Sequence, residues 1–198
     1  MVQVNDKNAN WFVGIPISGD GWFEEVIEQL PENLRVFNSK DLHITVAFLG
    51  KLQIEEDKVN RKVGNIKLVL EEMKTERKSF RLGGVLFLPS KKRFSAVCLS
   101  IEQGSTELSE LILQYEPILK KCSGLKEMGM WEKRKPLPHV TIARPLKKLQ
   151  WNDRRNIVEN CSGIKIPFCD VLVNKVALYT WADNRKMMQF KIICEAFL

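Results

Sequence analysis

Apolar residues recur along this chain in two rhythms, one of period two and one near 3.6, and the switches between them lay out the expected elements. Trp11–Ile17 is a short apolar run rich in β-forming residues, ended by Pro16 and Gly19, and reads as a first strand. Asp20–Leu30 carries Trp22, Phe23, Val26, Ile27 and Leu30 at helical spacing and stops at Pro31. Asp41–Leu49 alternates again, with Leu42, Ile44 and Val46 on one face and His43, Thr45 and Ala47 on the other. Lys58–Met73 repeats Val59, Val63, Ile66, Val69, Leu70 and Met73, the stripe of an amphipathic helix with a charged outer face.

Phe80–Leu88 and Phe94–Ile101 are strand-like runs joined by Pro89-Ser90-Lys91-Lys92-Arg93, a hairpin with a basic tip. Ser105 is placed to cap a helix running to about Lys121, whose core stripe is Leu108, Leu111, Ile112, Tyr115 and Leu119. Leu137–Arg144 is a second strand bearing a histidine, and Asp153–Cys161 a short helix. Val171–Trp181 and Met187–Ala196 form a final expected hairpin around Asp183-Asn184-Arg185. No linker interrupts these elements, and each half holds a helix, extended strands and one strand with His-apolar-Thr. The expectation is a single domain, residues 1–198, of the α+β class, built as two intimately packed lobes without a regular βαβ rhythm.

Composition narrows the class without naming it. The 44% hydrophobic and 28% charged fractions of the 198 residues are those of a globular protein. Lys plus Arg number 31 against 24 Asp plus Glu, a net charge of +7, which favours an anionic partner and equally suits a solvated basic surface. Five cysteines, an odd number without a CxxC pair, indicate a reducing compartment and no disulfide framework. The first residues lack the basic stretch of a secretion signal, and no run approaches 18 apolar residues, so a cytoplasmic protein with no membrane span is expected.

The chemistry rests on a count. The chain has two histidines and five threonines, and both histidines have Thr two residues later, in His43-Ile44-Thr45 and His139-Val140-Thr141. Scattered threonines would give both matches in roughly one sequence in 1,600. In a strand, residues i and i+2 share a face, so each motif offers an imidazole beside a hydroxyl while its apolar neighbours anchor the opposite face. Two such strands brought together would surround one small anion. One neutral imidazole would take a proton from water, the other would protonate a leaving oxygen, and the threonine hydroxyls would hold the non-bridging oxygens. Histidine suits both parts because its ordinary pKa near 6.5 lets both forms coexist at neutrality. Taken singly, each histidine reads more readily as a core or partner-bonded side chain than as a catalyst, and the matched pair of motifs shifts that balance. As a zinc site the pair lacks a third ligand at suitable spacing, and no cofactor or metal is expected. Asp41, on the face of His43, either orients that imidazole or merely ends the strand.

His-x-Thr repeated once in each half resembles the signature of the 2H phosphoesterases. The match is to their RNA 2′,3′-cyclic phosphodiesterase branch, also known as 2′-5′ RNA ligases, and it covers nearly the whole chain. LHITVAFLG (42–50) and PHVTIARP (138–145) are similar to the two motifs, and Trp11–Pro16, Leu82–Pro89 and Val176–Trp181 to other strands of that branch. The resemblance implies a fold with pseudo-twofold symmetry, antiparallel sheets flanking a central cleft, helices outside, and His43, Thr45, His139 and Thr141 in that cleft. It implies that His43 gives a proton to the 3′ oxygen while His139 activates water, leaving a 2′-phosphate on RNA, with reversible 2′-5′ joining as a companion activity. The near-symmetric motifs admit either assignment of acid and base. The chain departs from that branch in the stretch Ser123–Lys135 and in Ala47 and Phe48 after the first motif.

Around the site, Arg144 is placed to pair with a phosphate, and Phe48 and Trp181 to stack on bases, although aromatics in apolar strands also serve as core. Lys91–Arg93, Lys133–Lys135, Lys147–Lys148 and Arg154–Arg155 are candidates for an electrostatic track or for plain solvated surface. The leading expectation is a monomeric cyclic phosphodiesterase acting on RNA ends. Two alternatives stand beside it: the same site working on 2′-5′-linked oligonucleotides or small cyclic nucleotides, and a non-catalytic RNA-binding module.

Overall fold

The computed structural model describes residues 9–51, 56–76, 79–124, 135–146, 149–182 and 188–198, apart from the side chains of 56 and 57. The expected turn Asp183-Asn184-Arg185, together with Lys133, Arg134, Lys147 and Lys148, lies outside the described residues. In chain order the elements are β1 (Asn10–Pro16), α1 (Phe23–Ile27), β2 (Leu34–Val36), a 3-10 turn (Ser39–Asp41), β3 (His43–Lys51) and α2 (Glu56–Glu72). There follow β4 (Ser79–Leu88), β5 (Ala96–Gln103), α3 (Ser105–Ser123), β6 (His139–Pro145), α4 (Trp151–Ser162), β7 (Asp170–Leu172), β8 (Lys175–Trp181) and β9 (Phe190–Phe197).

The strands form one antiparallel sheet in the order β7-β4-β5-β6-β3-β1-β8-β9, with β2 added to β6. Its two halves of four strands meet where β3 pairs β6, so the motif-bearing strands are the innermost pair. Where separate sheets flanking a cleft are expected, the two halves join through that junction into one continuous ladder. Helix α2 packs on β8, β9 and α3, while α3 covers β3 and α4 lies against β4.

Strand β1 shows why its sequence reads as an unbroken apolar run. Trp11, Val13 and Ile15 are fully buried in the main core. On the other face Phe12 joins Ala177 and Tyr179 in a second, smaller cluster with Phe190 packed against it. A strand buried on both faces needs no alternation. Each large side chain so buried contributes about 1.5–3 kcal/mol, and on this strand the second layer also forms one wall of the site.

Four elements depart from the sequence reading. The helix expected over Asp20–Leu30 is α-helical only at Phe23–Ile27, after a turn in which Gly21 takes φ 75°. Ser105 is the first residue of α3 and does not cap it. The cap position is Gly104 with φ 87°, and the Ser105 carbonyl accepts a hydrogen bond from Ser109 Oγ at 2.7 Å. The run Val171–Trp181 is two strands, because the chain leaves β7 on β4 and crosses to begin β8 on β1. Strand β2, three residues long, has too little pattern to be anticipated.

Candidate active site

Strands β3 and β6 run antiparallel with Ile44 paired to Val140. Both of these side chains are fully buried and fix which faces of the strands turn inward. Counting one residue outward from that pair sets His43 against Thr141 and Thr45 against His139. The two imidazoles then stand on a diagonal, roughly 7–8 Å apart at the backbone by ordinary sheet geometry. The two His-x-Thr motifs thus cross-pair about a local twofold through Ile44 and Val140. All four side chains line one cleft of about 970 Å³.

The third cleft-facing residue of each strand is set by a bulge. Gly14 pairs with Thr45 but Val13 with Ala47, which leaves Val46 as an extra residue in β3. Cys98 pairs with Thr141 but Val97 with Ala143, which leaves Ile142 extra in β6. Each bulge shifts the alternation by one. Ala47, expected on the face of His43 and Thr45, is buried instead, and Phe48 lines the cleft at 52% exposure. In β6 the same phase shift delivers Arg144. Phe48 and Arg144 are therefore equivalent positions, five residues after their histidines, and bulges beside a site commonly re-aim side chains in this way. One half of the cleft ends in an aromatic ring and the other in a guanidinium.

Both imidazoles are held alike. His43 Nδ1 lies 2.6 Å from the Asp41 carbonyl and His139 Nδ1 2.7 Å from the Leu137 carbonyl. A carbonyl only accepts, so each Nδ1 carries the hydrogen and each Nε2 keeps its lone pair or takes up a second proton. The rings differ in their surroundings. The Phe12 ring lies 4.6 Å from that of His43, Tyr179 5.5 Å, and Phe190 stands edge-on at 5.4 Å. Burial in this aromatic wall lowers the His43 pKa to about 4; the Asp41 carbonyl opposes the shift, and the charges of His139 and Arg144 add to it. His43 is consequently neutral at pH 7 in the open cleft. Thr141 Oγ1 is 3.5 Å from Cys98 Sγ, a buried thiol whose pKa is pushed up to about 11 by burial.

Asp41 acts at two points. Its carbonyl fixes His43, while its carboxylate, 1% exposed, accepts from the backbone N–H groups of Gln189 and Phe190 at 3.0 Å. The carboxylate therefore pins the start of β9, whose Phe190 packs on the His43 ring. It does not touch the imidazole. Trp181 and Phe48 both line the cleft. Sequence reasoning missed Phe12, Tyr179 and Phe190 as the wall around His43, and it missed Arg35. Arg35 is the β2 partner of Arg144 and also lines the cleft. The unbroken apolar run of β1 carried no signal that singles out Phe12, and three-residue β2 carried none for Arg35. Arg154 and Arg155 do not join the site. Arg154 donates to the Phe94 carbonyl at 2.7 Å, and Arg155 pairs with Glu159 along α4. Among the described residues no three side chains of His, Cys, Asp or Glu converge at metal-ligand distance.

No protein-family model matches the chain, and no curated protein matches it in sequence. Solved structures do match. Escherichia coli LigT complexed with NADP+ is 19% identical across 98% of this chain and 99% of its own, with a TM-score of 0.62. The same protein complexed with 3′-AMP is 18% identical across 96% of this chain and 97% of that one, with a TM-score of 0.63. TT0787 of Thermus thermophilus is 16% identical across 96% and 97%, with a TM-score of 0.62. The fold shared along nearly the whole chain is that of these neighbours.

Proposed function

We propose that this chain is a 2H phosphoesterase that hydrolyses 2′,3′-cyclic phosphate ends of RNA to 2′-phosphates. The observation that carries the reading is the cross-paired motif array: two imidazoles, each fixed through Nδ1, and two hydroxyls around one cleft. Water attacks phosphorus as the Nε2 lone pair of one histidine, His139, takes its proton. The P–O3′ bond breaks, and His43 gives a proton to the departing O3′. Thr45 and Thr141 donate hydrogen bonds to the non-bridging oxygens as charge grows on them. A 3′-hydroxyl and a 2′-phosphate result.

The asymmetry of the cleft orients the substrate. Phe48 and Trp181 offer faces to the terminal base, and Arg144 a fork to phosphate. The neutral state of His43 in the open cleft fits an acid only if the substrate charges it. A phosphate anion acts in that direction, because its charge favours the imidazolium and opposes the neighbouring charges of His139 and Arg144 that lower its pKa. Binding and proton uptake at His43 are then one event.

The test is product analysis on an RNA ending in 2′,3′-cyclic phosphate, with EDTA present. A phosphatase-sensitive 2′-phosphate end is expected from the wild type, with losses of about 10²–10⁴ in kcat for His43→Ala and His139→Ala. No turnover by the wild type, or turnover indifferent to both substitutions, overturns the reading.

A further inference from the structure

Arg35 and Arg144 are directly opposed across β2 and β6. Like charges placed opposite each other in an antiparallel pair destabilise a sheet. Among the described residues neither arginine has a carboxylate partner, and Arg144 has only the Phe37 ring beneath its guanidinium, 5.8 Å to the centroid. The arrangement makes sense when an anion lies between them.

The positive surface continues in one direction. Ala143 pairs with Val97, so the next residue of β6, Arg144, lies beside Ala96, which pairs with Leu88. Leu88 and Ala96 both line the cleft and are the last strand residues before the β4–β5 tip, with its exposed Lys91, Lys92 and Arg93. That tip is held in place. Arg93 N donates to Ser90 O, and Ser95 N to Leu88 O. Phe94 is buried against Phe87, and Arg154 of α4 reaches over the Phe94 ring and bonds its carbonyl. A fixed turn therefore carries three exposed cations just beyond Leu88 and Ala96, which border the cleft on the Arg144 side and away from Phe48.

We infer that Arg35, Arg144 and the Lys91–Arg93 tip form a track for the phosphates on the 5′ side of the reacting nucleotide, so that this chain acts on the end of a single-stranded RNA in preference to a free cyclic nucleotide. The inference rests on the phosphoesterase reading above, which puts the terminal base at Phe48 and Trp181 and so points the chain's 5′ phosphates towards Arg144. A cyclic mononucleotide ends before the tip.

Two measurements test it on the triple variant Lys91→Gln, Lys92→Gln, Arg93→Gln, whose positions are all exposed. The first compares kcat/KM for 2′,3′-cyclic AMP and for an oligonucleotide ending in 2′,3′-cyclic phosphate. The expected result is a fall of about tenfold or more on the oligonucleotide at low salt and a change under about twofold on the mononucleotide. The second is fluorescence anisotropy with a labelled RNA ending in 2′-phosphate, which needs no turnover. The slope of log K against log salt should shrink by about 2, roughly 0.7 for each cation removed. An unchanged slope and equal kcat/KM on the oligonucleotide overturn the track. Failure of the wild type to turn over either substrate overturns the parent reading instead, and the anisotropy slope still decides the track.

Discussion

Replacing Asp41 with Ala removes the acceptor for two backbone N–H groups, those of Gln189 and Phe190, each 3.0 Å from the carboxylate. Hydrogen bonds to a charged acceptor contribute about 1.5–3 kcal/mol each, and donors left unsatisfied in a partly buried site add to the loss. The two together give an expected destabilisation of at least about 3–6 kcal/mol, large against the roughly 5–15 kcal/mol of an ordinary domain. Asp41→Asn keeps one accepting oxygen and should lose about half as much. The carbonyl that holds His43 belongs to the backbone and survives both substitutions. The catalytic effect must therefore arrive through Phe190, which the carboxylate seats edge-on against the His43 ring at 5.4 Å. A displacement of that wall by about 1 Å is of the size that costs on the order of 10²-fold in rate. Urea unfolding measures the first quantity and kcat on a cyclic phosphate the second, and Asp41→Asn should fall between wild type and Asp41→Ala in both. A destabilisation under about 1 kcal/mol with unchanged kcat would refute the reasoning and leave Asp41 as a mere strand end.

Other outcomes follow from the same geometry. The folded pKa of His43, about 4, lies below its unfolded value of 6.5, so its contribution is fully present above pH 6.5 and lost as pH falls towards 4. Between about pH 7 and pH 4.5 the wild type should lose about 2–3 kcal/mol more than His43→Gln in urea unfolding, and equal losses would show that His43 titrates normally. A Cβ on Gly14 would meet the Ile44 carbonyl at 3.1 Å and His43 Cδ2 at 3.3 Å. Gly14→Ala should therefore lower kcat by about tenfold through the imidazole's position, with a smaller change in KM, and unaltered kinetics would show the ring has slack. In an NMR titration, saturating inorganic phosphate should move the His43 pKa upward from about 4, and a ring that stays neutral in the complex assigns His43 the base's part.

Much of the fold was legible because its strands and helices keep their rhythms over long stretches. The stripe from Val59 to Met73 became α2, and the two His-x-Thr runs became the innermost strands β3 and β6. Within each motif the imidazole and the hydroxyl share one face because period-two geometry leaves no other choice. Beyond them Phe48 and Arg144 could be named by residue type but not placed by pattern, since the bulges at Val46 and Ile142 break that period. Strict alternation sends Ala47 to the cleft and Phe48 to the core, and the structure does the reverse. Register between distant strands is equally silent in the sequence. Arg35 meets Arg144 only because a three-residue strand adds to β6. Asp41 reaches Gln189 and Phe190 across 148 and 149 positions of chain. The break after β7 has a like cause: Val173 is fully buried between two strands that belong to opposite halves of the sheet.

The account stands on both imidazoles serving a single phosphorus, and a double-mutant cycle on kcat for a cyclic-phosphate RNA end measures that directly. Groups that act as one unit are grossly non-additive. His43→Gln and His139→Gln should each cost on the order of 10³-fold, and the double variant should be no slower than the worse single by more than about tenfold. Losses that multiply to about 10⁶, or a single variant that keeps wild-type turnover, would contradict it.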